Sequence, residues 1–160
     1  MRYATIDSPL GALTLASTEK GLASIHFGAN IPAGGTIDEG ANREAIEQLR
    51  EYFEGKRIQF DLSLDLQGTP FQLAVWRQLQ RIPYGETRSY GDIARSLGKP
   101  GAARAVGMAN HENPVAVVVP CHRVVGSDGS LTGYAGGLHI KQRLLALEMQ
   151  TEKQSQLLFT

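Results

Sequence analysis

Between Thr69 and His111 the chain is interrupted so often that it can hold only short helices. Thr69-Pro70-Phe71-Gln72 is a helix start, with Thr as N-cap, Pro at N1 and Gln at N3. Phe71, Ala74, Val75, Leu79 and Ile82 then recur at helical spacing until Pro83-Tyr84-Gly85 stops them. Ser89 opens a second, shorter helix carrying Tyr90, Ile93, Ala94 and Leu97, which Gly98 closes. Pro100 opens a third near residues 100–110. Two short helices joined through Gly98-Lys99 match a helix-turn-helix. On the third helix Ala102, Ala105, Val106 and Ala109 form a small-residue packing face, with Arg104, Gly107, Met108 and His111 on the other side. Arg104 is either a solvated residue on an Ala-rich helix, or a side chain projecting from a helix that can approach another surface closely.

The segment before this is different in kind. Residues 3–27 read as a β-meander: Leu13 and Leu15, then Ala23, Ile25 and Phe27, alternate with their neighbours, and Ser8-Pro9-Leu10-Gly11 and Glu19-Lys20-Gly21 supply the turns. Residues 28–40 are expected to be a loop. A helix follows over about 41–54, with Ala41, Ala45, Leu49, Tyr52 and Phe53 on one face and Gly55 at its end. Ile58, Phe60, Leu62, Leu64 and Leu66 alternate, which predicts another strand. His26 stands alone in mid-strand and reads as structural. Gln67-Gly68 is the expected boundary between residues 1–67 and residues 68–150, with 151–160 as a polar tail. The expected fold is α+β: a small N-terminal α/β domain of β-meander plus helix, then a mostly helical, winged-helix-like domain.

The overall charge of zero conceals an asymmetry. Residues 1–68 carry a net −4, residues 69–123 a net +4, and residues 124–160 balance. A basic second half suggests a polyanionic partner there. No apolar run approaches the ~20 residues needed to span a bilayer, and Met1–Asp7 has no signal-peptide core, so a cytoplasmic protein is expected. One cysteine excludes an internal disulfide and a Cys-rich zinc site.

That cysteine follows the apolar run Val115-Ala116-Val117-Val118-Val119, which lies between Pro114 and Pro120 and is predicted to be a short buried strand. Cys121 is either a small buried apolar residue or a nucleophile. His122 and Arg123 beside it favour the second reading, because basic or cationic neighbours lower a thiol pKa. Ser127-Asp128-Gly129-Ser130 signals a hairpin turn. Gly133-Tyr134-Ala135-Gly136-Gly137 suggests a tight loop with an aromatic wall, and lacks the Gly-Lys-Ser/Thr of a phosphate loop. A last helix is expected over about Leu138–Met149, with Ile140, Leu144, Leu145 and Leu147 on its buried stripe and His139 at the surface. Glu148 partly shares that stripe. It is either solvated at the helix end, or it pairs with His122 in a Cys–His–Glu relay.

Together these residues resemble the O6-alkylguanine-DNA alkyltransferase family, the methylated-DNA–protein-cysteine methyltransferases. The resemblance is carried by Gly68–Gln72, Ser89-Tyr90, Ala102–Gly107, Asn113-Pro114, Pro120–Val124, Gly133–Gly137, Leu144-Leu145 and Glu148. It implies an enzyme that binds duplex DNA, flips out a damaged guanine and moves its O6-alkyl group, or that of O4-alkylthymine, irreversibly onto Cys121. It implies that His122 deprotonates Cys121 through a water, that Glu148 orients His122, and that Tyr90 donates to N3 of the leaving guanine. It further implies that Asn113 braces the site, that the backbone at Val124 and Cys121 reads the base, and that Tyr134, Ala135 and Gly136 line the pocket. Arg104 would replace the extruded base, with Ala102, Ala103, Gly107, Met108 and Tyr90 also against the DNA. Base extrusion costs a few kcal/mol, and small residues suit minor-groove approach. No metal or cofactor is implied, and the protein is expected to act as a monomer.

Met108, His111 and Glu112 depart from the family's usual small or basic residues, and Glu112 is expected to weaken phosphate binding. A non-enzymatic lesion-binding helix-turn-helix protein is the alternative, and the presence of Cys121 argues against it. A Cys–His hydrolase is a third reading, which the extent of the resemblance disfavours.

Overall fold

The alternation and the two turns produce three antiparallel strands in the computed structural model: β1 Arg2–Ser8, β2 Gly11–Thr18 and β3 Gly21–Phe27. Ser8 pairs with Gly11 and Thr18 with Gly21, so each connection is a two-residue hairpin loop. Residues 1–134 and 136–159 are described, residues 154–159 by backbone alone. The expected loop at 28–40 holds a short strand, β4 Thr36–Ile37, parallel to Arg2–Tyr3, so the sheet order is β3-β2-β1-β4. A 3-10 turn at Gly40–Asn42 leads into α1, Arg43–Phe53. Ala45, Ile46, Leu49 and Tyr52 are buried on it. Ala41 is exposed, because it lies in the 3-10 turn before the helix proper. Gly55 ends the helix at φ 73°.

Two predicted strands do not form. Residues 58–66 make a single bridge, Leu64 to Leu22, and Ile58 is exposed. The Gln48 side chain occupies the backbone of Asp61 in place of a neighbouring strand, donating to its carbonyl at 3.0 Å and accepting from its amide at 2.9 Å. Gly21 lets the segment come in close, since a Cβ there would stand 2.3 Å from the Ser63 carbonyl oxygen. Residues 115–119 are buried as expected, except that Val118 is half-buried, but they are a run of tight turns. Val115 alone bridges to Ile25, and the Val118 amide donates to the Ala116 carbonyl at 2.8 Å. Val117 takes φ 71°, a left-handed conformation costly for a β-branched residue, on the order of 1–3 kcal/mol. Hydrophobicity thus set the burial of this run, and the flanking prolines kept it out of a ladder.

The chain divides into two compact units: Met1–Gln67 with Pro114–Val118, and Gly68–Asn113 with Val119–Thr160. Within the second, α2 Pro70–Leu79 and α3 Tyr90–Ser96 each start with a complete capping box, Thr69/Gln72 and Ser89/Asp92. The helix α4 spans Ala103–His111, starting later than expected because Pro100-Gly101 form a turn. It buries Val106, Ala109 and Asn110, whereas Ala105 is exposed. The Trp76 indole fastens α2 to α4 by donating to the Ala109 carbonyl at 2.9 Å. Cys121–Arg123 form a 3-10 turn, followed by β6 Val124–Val125, which pairs in parallel with β5 Arg88–Ser89. The Ser127–Ser130 turn forms, with a 2.8 Å bond from the Gly126 amide to the Ser130 carbonyl, but no return strand follows among the described residues. Helix α5 runs from Leu138 to Phe159, so the expected tail continues it and Glu148 lies well inside. No helix among the described residues is long and apolar enough to cross a membrane.

Candidate active site

The short β5–β6 pair joins two parts of the second unit that chemistry would need together. Tyr90 begins α3 immediately after β5, and the Cys121–Arg123 turn ends immediately before β6. The thiol is buried, 5% exposed. Burial pushes it up, against the Asn113 side chain, the Lys141 charge and the Tyr134 hydroxyl, which favour the thiolate. The Asn113 amide also donates to the Val119 carbonyl at 2.8 Å, and the Asn110 amide to the Cys121 carbonyl at 3.3 Å. The end of α4 and the residues just after it therefore brace the cysteine turn.

His122 pairs with Glu148, as the relay reading expected, whereas Arg123 is not among the groups that favour the thiolate. Both turn to Glu148, which is 1% exposed. The Glu148 carboxylate accepts from His122 Nε2 at 2.7 Å, from Arg123 Nε at 2.8 Å and Nη2 at 3.0 Å, and from the Gly85 amide at 3.2 Å. Arg123 also donates to the Ile82 carbonyl at 2.7 Å. Burial alone would raise the Glu148 pKa, but the His122 and Arg123 contacts outweigh it and hold it at about 2. Burial lowers the His122 pKa, against the pull of Glu148. Arg123 is thus the counter-charge, and a neutral His122 must keep its proton on Nε2, facing an acceptor-only carboxylate. That leaves Nδ1 as the basic atom, and it has no hydrogen-bond partner among the described residues.

The cation whose charge acts on the thiol is Lys141, which is fully buried. Its ammonium donates to the Val124 carbonyl and, at 2.8 Å, to the Thr132 carbonyl. Burial lowers its pKa, and the Cys121 thiolate opposes this. Burial likewise raises the Tyr134 pKa, helped by Cys121. Lys141 was missed in the sequence although it lies three and four residues before Leu144 and Leu145, the same spacing that put Glu148 on the stripe.

On the outer side of this unit, Ala103, Arg104, Gly107, Met108, His111 and Glu112 line an open groove together with Tyr90. Arg104 and Met108 are exposed, and the Tyr90 ring lies close to Gly107, 3.8 Å from where a Cβ would stand. Ala102 is half-buried at the N-cap of α4. Glu112 accepts a hydrogen bond from the Gln72 side chain. Gly136 is half-buried in the loop before α5, and Ala135 lies outside the described residues.

Residues 70–150 match the family described as 6-O-methylguanine DNA methyltransferase, DNA binding domain, and residues 1–66 match 6-O-methylguanine DNA methyltransferase, ribonuclease-like domain. The chain belongs to the 6-O-methylguanine DNA methyltransferase family. It is 53% identical to a methylated-DNA–protein-cysteine methyltransferase of Mycolicibacterium paratuberculosis, across 99% of both chains. A Methanosarcina barkeri protein of the same name is 54% identical over 92% of this chain and 97% of its own. Among solved structures of 6-O-methylguanine DNA methyltransferases, the Mycobacterium tuberculosis protein OGT in complex with DNA superposes with a TM-score of 0.89 at 52% identity, covering 94% of each chain.

Proposed function

We propose that the protein repairs duplex DNA by accepting the alkyl group of O6-alkylguanine, and of O4-alkylthymine, on Cys121, once per molecule. The observation that carries this is one buried thiol on the same 3-10 turn as a histidine whose tautomer is fixed. The Glu148 carboxylate accepts from His122 Nε2 at 2.7 Å, so Nδ1 is the atom able to take a proton. In this reading the Cys121 proton passes through a water to Nδ1, and the thiolate is stabilised by Asn113, Lys141 and Tyr134. The sulfur forms a bond to the alkyl carbon as the carbon–O6 bond breaks, and the electron pair stays on the guanine. Tyr90 gives its hydroxyl proton to guanine N3 and recovers one from solvent, which receives the proton released from the thiol. The Val124 backbone, Tyr134, Ala135 and Gly136 bound the extruded base.

Arg104, with Ala102, Ala103, Gly107 and Met108, forms the face laid against the duplex, and Arg104 fills the gap the base leaves. The relatives named methylated-DNA–protein-cysteine methyltransferase, and the neighbour solved with DNA, support the same reading. A monomer suffices, since the thiol, the base and the arginine all belong to one unit. The cytoplasm, where thiols stay reduced, is the fitting compartment.

Incubation with a duplex containing O6-methylguanine tests this directly. Intact-mass and peptide analysis should find one methyl in place of a hydrogen, located at Cys121. An unmodified protein after exhaustive incubation would refute the reading. Replacing Arg104 by alanine is expected to slow duplex repair about tenfold, because the flipped state loses the side chain that offsets unstacking, while reaction with free O6-benzylguanine stays near wild type. Equal losses on both substrates would remove Arg104 from that role.

A further inference from the structure

The Tyr90 hydroxyl sits in a small hydrogen-bond network with Thr132. The Thr132 hydroxyl donates to the Tyr90 oxygen at 2.9 Å. The Tyr90 hydroxyl in turn reaches the Thr132 carbonyl only at 3.5 Å, the outer limit of a hydrogen bond. That same carbonyl oxygen already accepts from the buried Lys141 ammonium at 2.8 Å, a charge-assisted and therefore stronger bond. The lone pair of the phenol is engaged and its proton is barely held. A phenol so placed is ready to donate outward, and Tyr90 lines the same open groove as Arg104.

We propose that Thr132, with its carbonyl fixed by Lys141, is a positioning residue that aims the Tyr90 proton at the departing base. This rests on the alkyl-transfer reading and deepens it. As the carbon–O6 bond breaks, the Tyr90 O–H bond breaks toward guanine N3, and the electron pair of that bond stays on the phenol oxygen. The Thr132 hydroxyl already points at that oxygen and stabilises the charge appearing there without reorganising. Lys141 supplies the rigidity: its two carbonyl bonds, to Val124 and Thr132, tie the strand after the cysteine turn to the segment carrying Thr132. Thr132 is exposed, so its side chain contributes little to the core and can be changed without unfolding the unit.

The test is single-turnover methyl transfer from an O6-methylguanine duplex at saturating protein. Thr132→Val, which keeps the shape and removes the hydroxyl, should be about tenfold slower, the effect of one hydrogen bond to a developing charge. Thr132→Ala should match it, and Thr132→Ser should restore the wild-type rate. Duplex affinity and thermal midpoint should not change. In a Tyr90→Phe background, Thr132→Val should have no further effect, which a merely structural residue would not show. Wild-type speed in Thr132→Val, or a further tenfold loss when it is added to Tyr90→Phe, would overturn the inference alone. A wild-type protein that moves no methyl would overturn the functional reading and the inference with it.

Discussion

Replacing Glu148 by alanine should destabilise the protein by about 3–5 kcal/mol, the range for removing one partner of a buried ion pair. The carboxylate satisfies Arg123, His122 and the Gly85 amide together, and the two charged or polar side chains are buried where water cannot replace it. Alanine would improve the helix slightly, which is small beside an uncompensated buried guanidinium. Urea unfolding would show this as a lower midpoint at unchanged slope, and a loss under about 1 kcal/mol would contradict the ledger of partners given above. Glu148→Gln keeps the shape and should destabilise less while still slowing transfer, because an amide can present its NH2 to Nε2 and release the imidazole tautomer.

The same group fixes a pH dependence. Glu148 is held at about 2, below its ordinary 4.5, so the folded state binds its proton less readily than the unfolded chain does. Its contribution is complete above pH 4.5 and is lost as pH falls toward 2. The His122 pKa is also lowered from 6.5, so stability begins to fall once pH drops below that value and unfolding lets the ring protonate. Wild-type protein should lose stability with acid in both ranges, and the alanine variant should lose less in the lower one, where Asp65, Asp92 and Asp128, also held below their ordinary range by hydrogen bonds, still titrate. A variant that kept the full acid limb below pH 4.5 would assign that limb to other carboxylates.

Replacing Cys121 by serine should abolish alkyl transfer altogether while leaving the fold and duplex binding in place. The oxygen nucleophile cannot ionise in a pocket that already raises a thiol. The burial of the sulfur adds a second expectation. In the free protein Cys121 should react with iodoacetamide about tenfold or more slowly than an exposed cysteine, since it is 5% exposed and its pKa is pushed up. Methyl uptake by the serine variant, or alkylation as fast as that of a free thiol, would show that the sulfur is not the guarded nucleophile described here.

Much of this was legible in the chain because it depends on local rules. The capping boxes at Thr69 and Ser89, the hairpins at Pro9-Leu10 and Glu19-Lys20, and the αL glycines at 55 and 98 each follow from a few neighbouring residues. The Glu148–His122 partnership was one of two open readings, and only the length of α5 decided it. What failed was non-local. Alternation at 58–66 marks which side chains face inward, but whether a ladder forms depends on the Gln48 amide thirteen residues upstream of Asp61. The valine run announced burial and could not announce that Val117 would be left-handed. Lys141, which the sequence reading passed over, acts on the thiol in place of Arg123, because proximity along the chain to Cys121 says nothing of where a long side chain finds its carboxylate or carbonyl.

The passage of Pro114–Val118 through the first unit has a consequence for anyone dividing the protein. The chain leaves the body that carries the thiol and re-enters it, all between Asn113 and Val119. Severing at Gln67 would therefore not yield two self-sufficient pieces. The larger fragment would keep a valine loop stripped of its Ile25 neighbour, and the smaller would end with the Ile25 amide deprived of the Pro114 carbonyl it reaches at 2.9 Å.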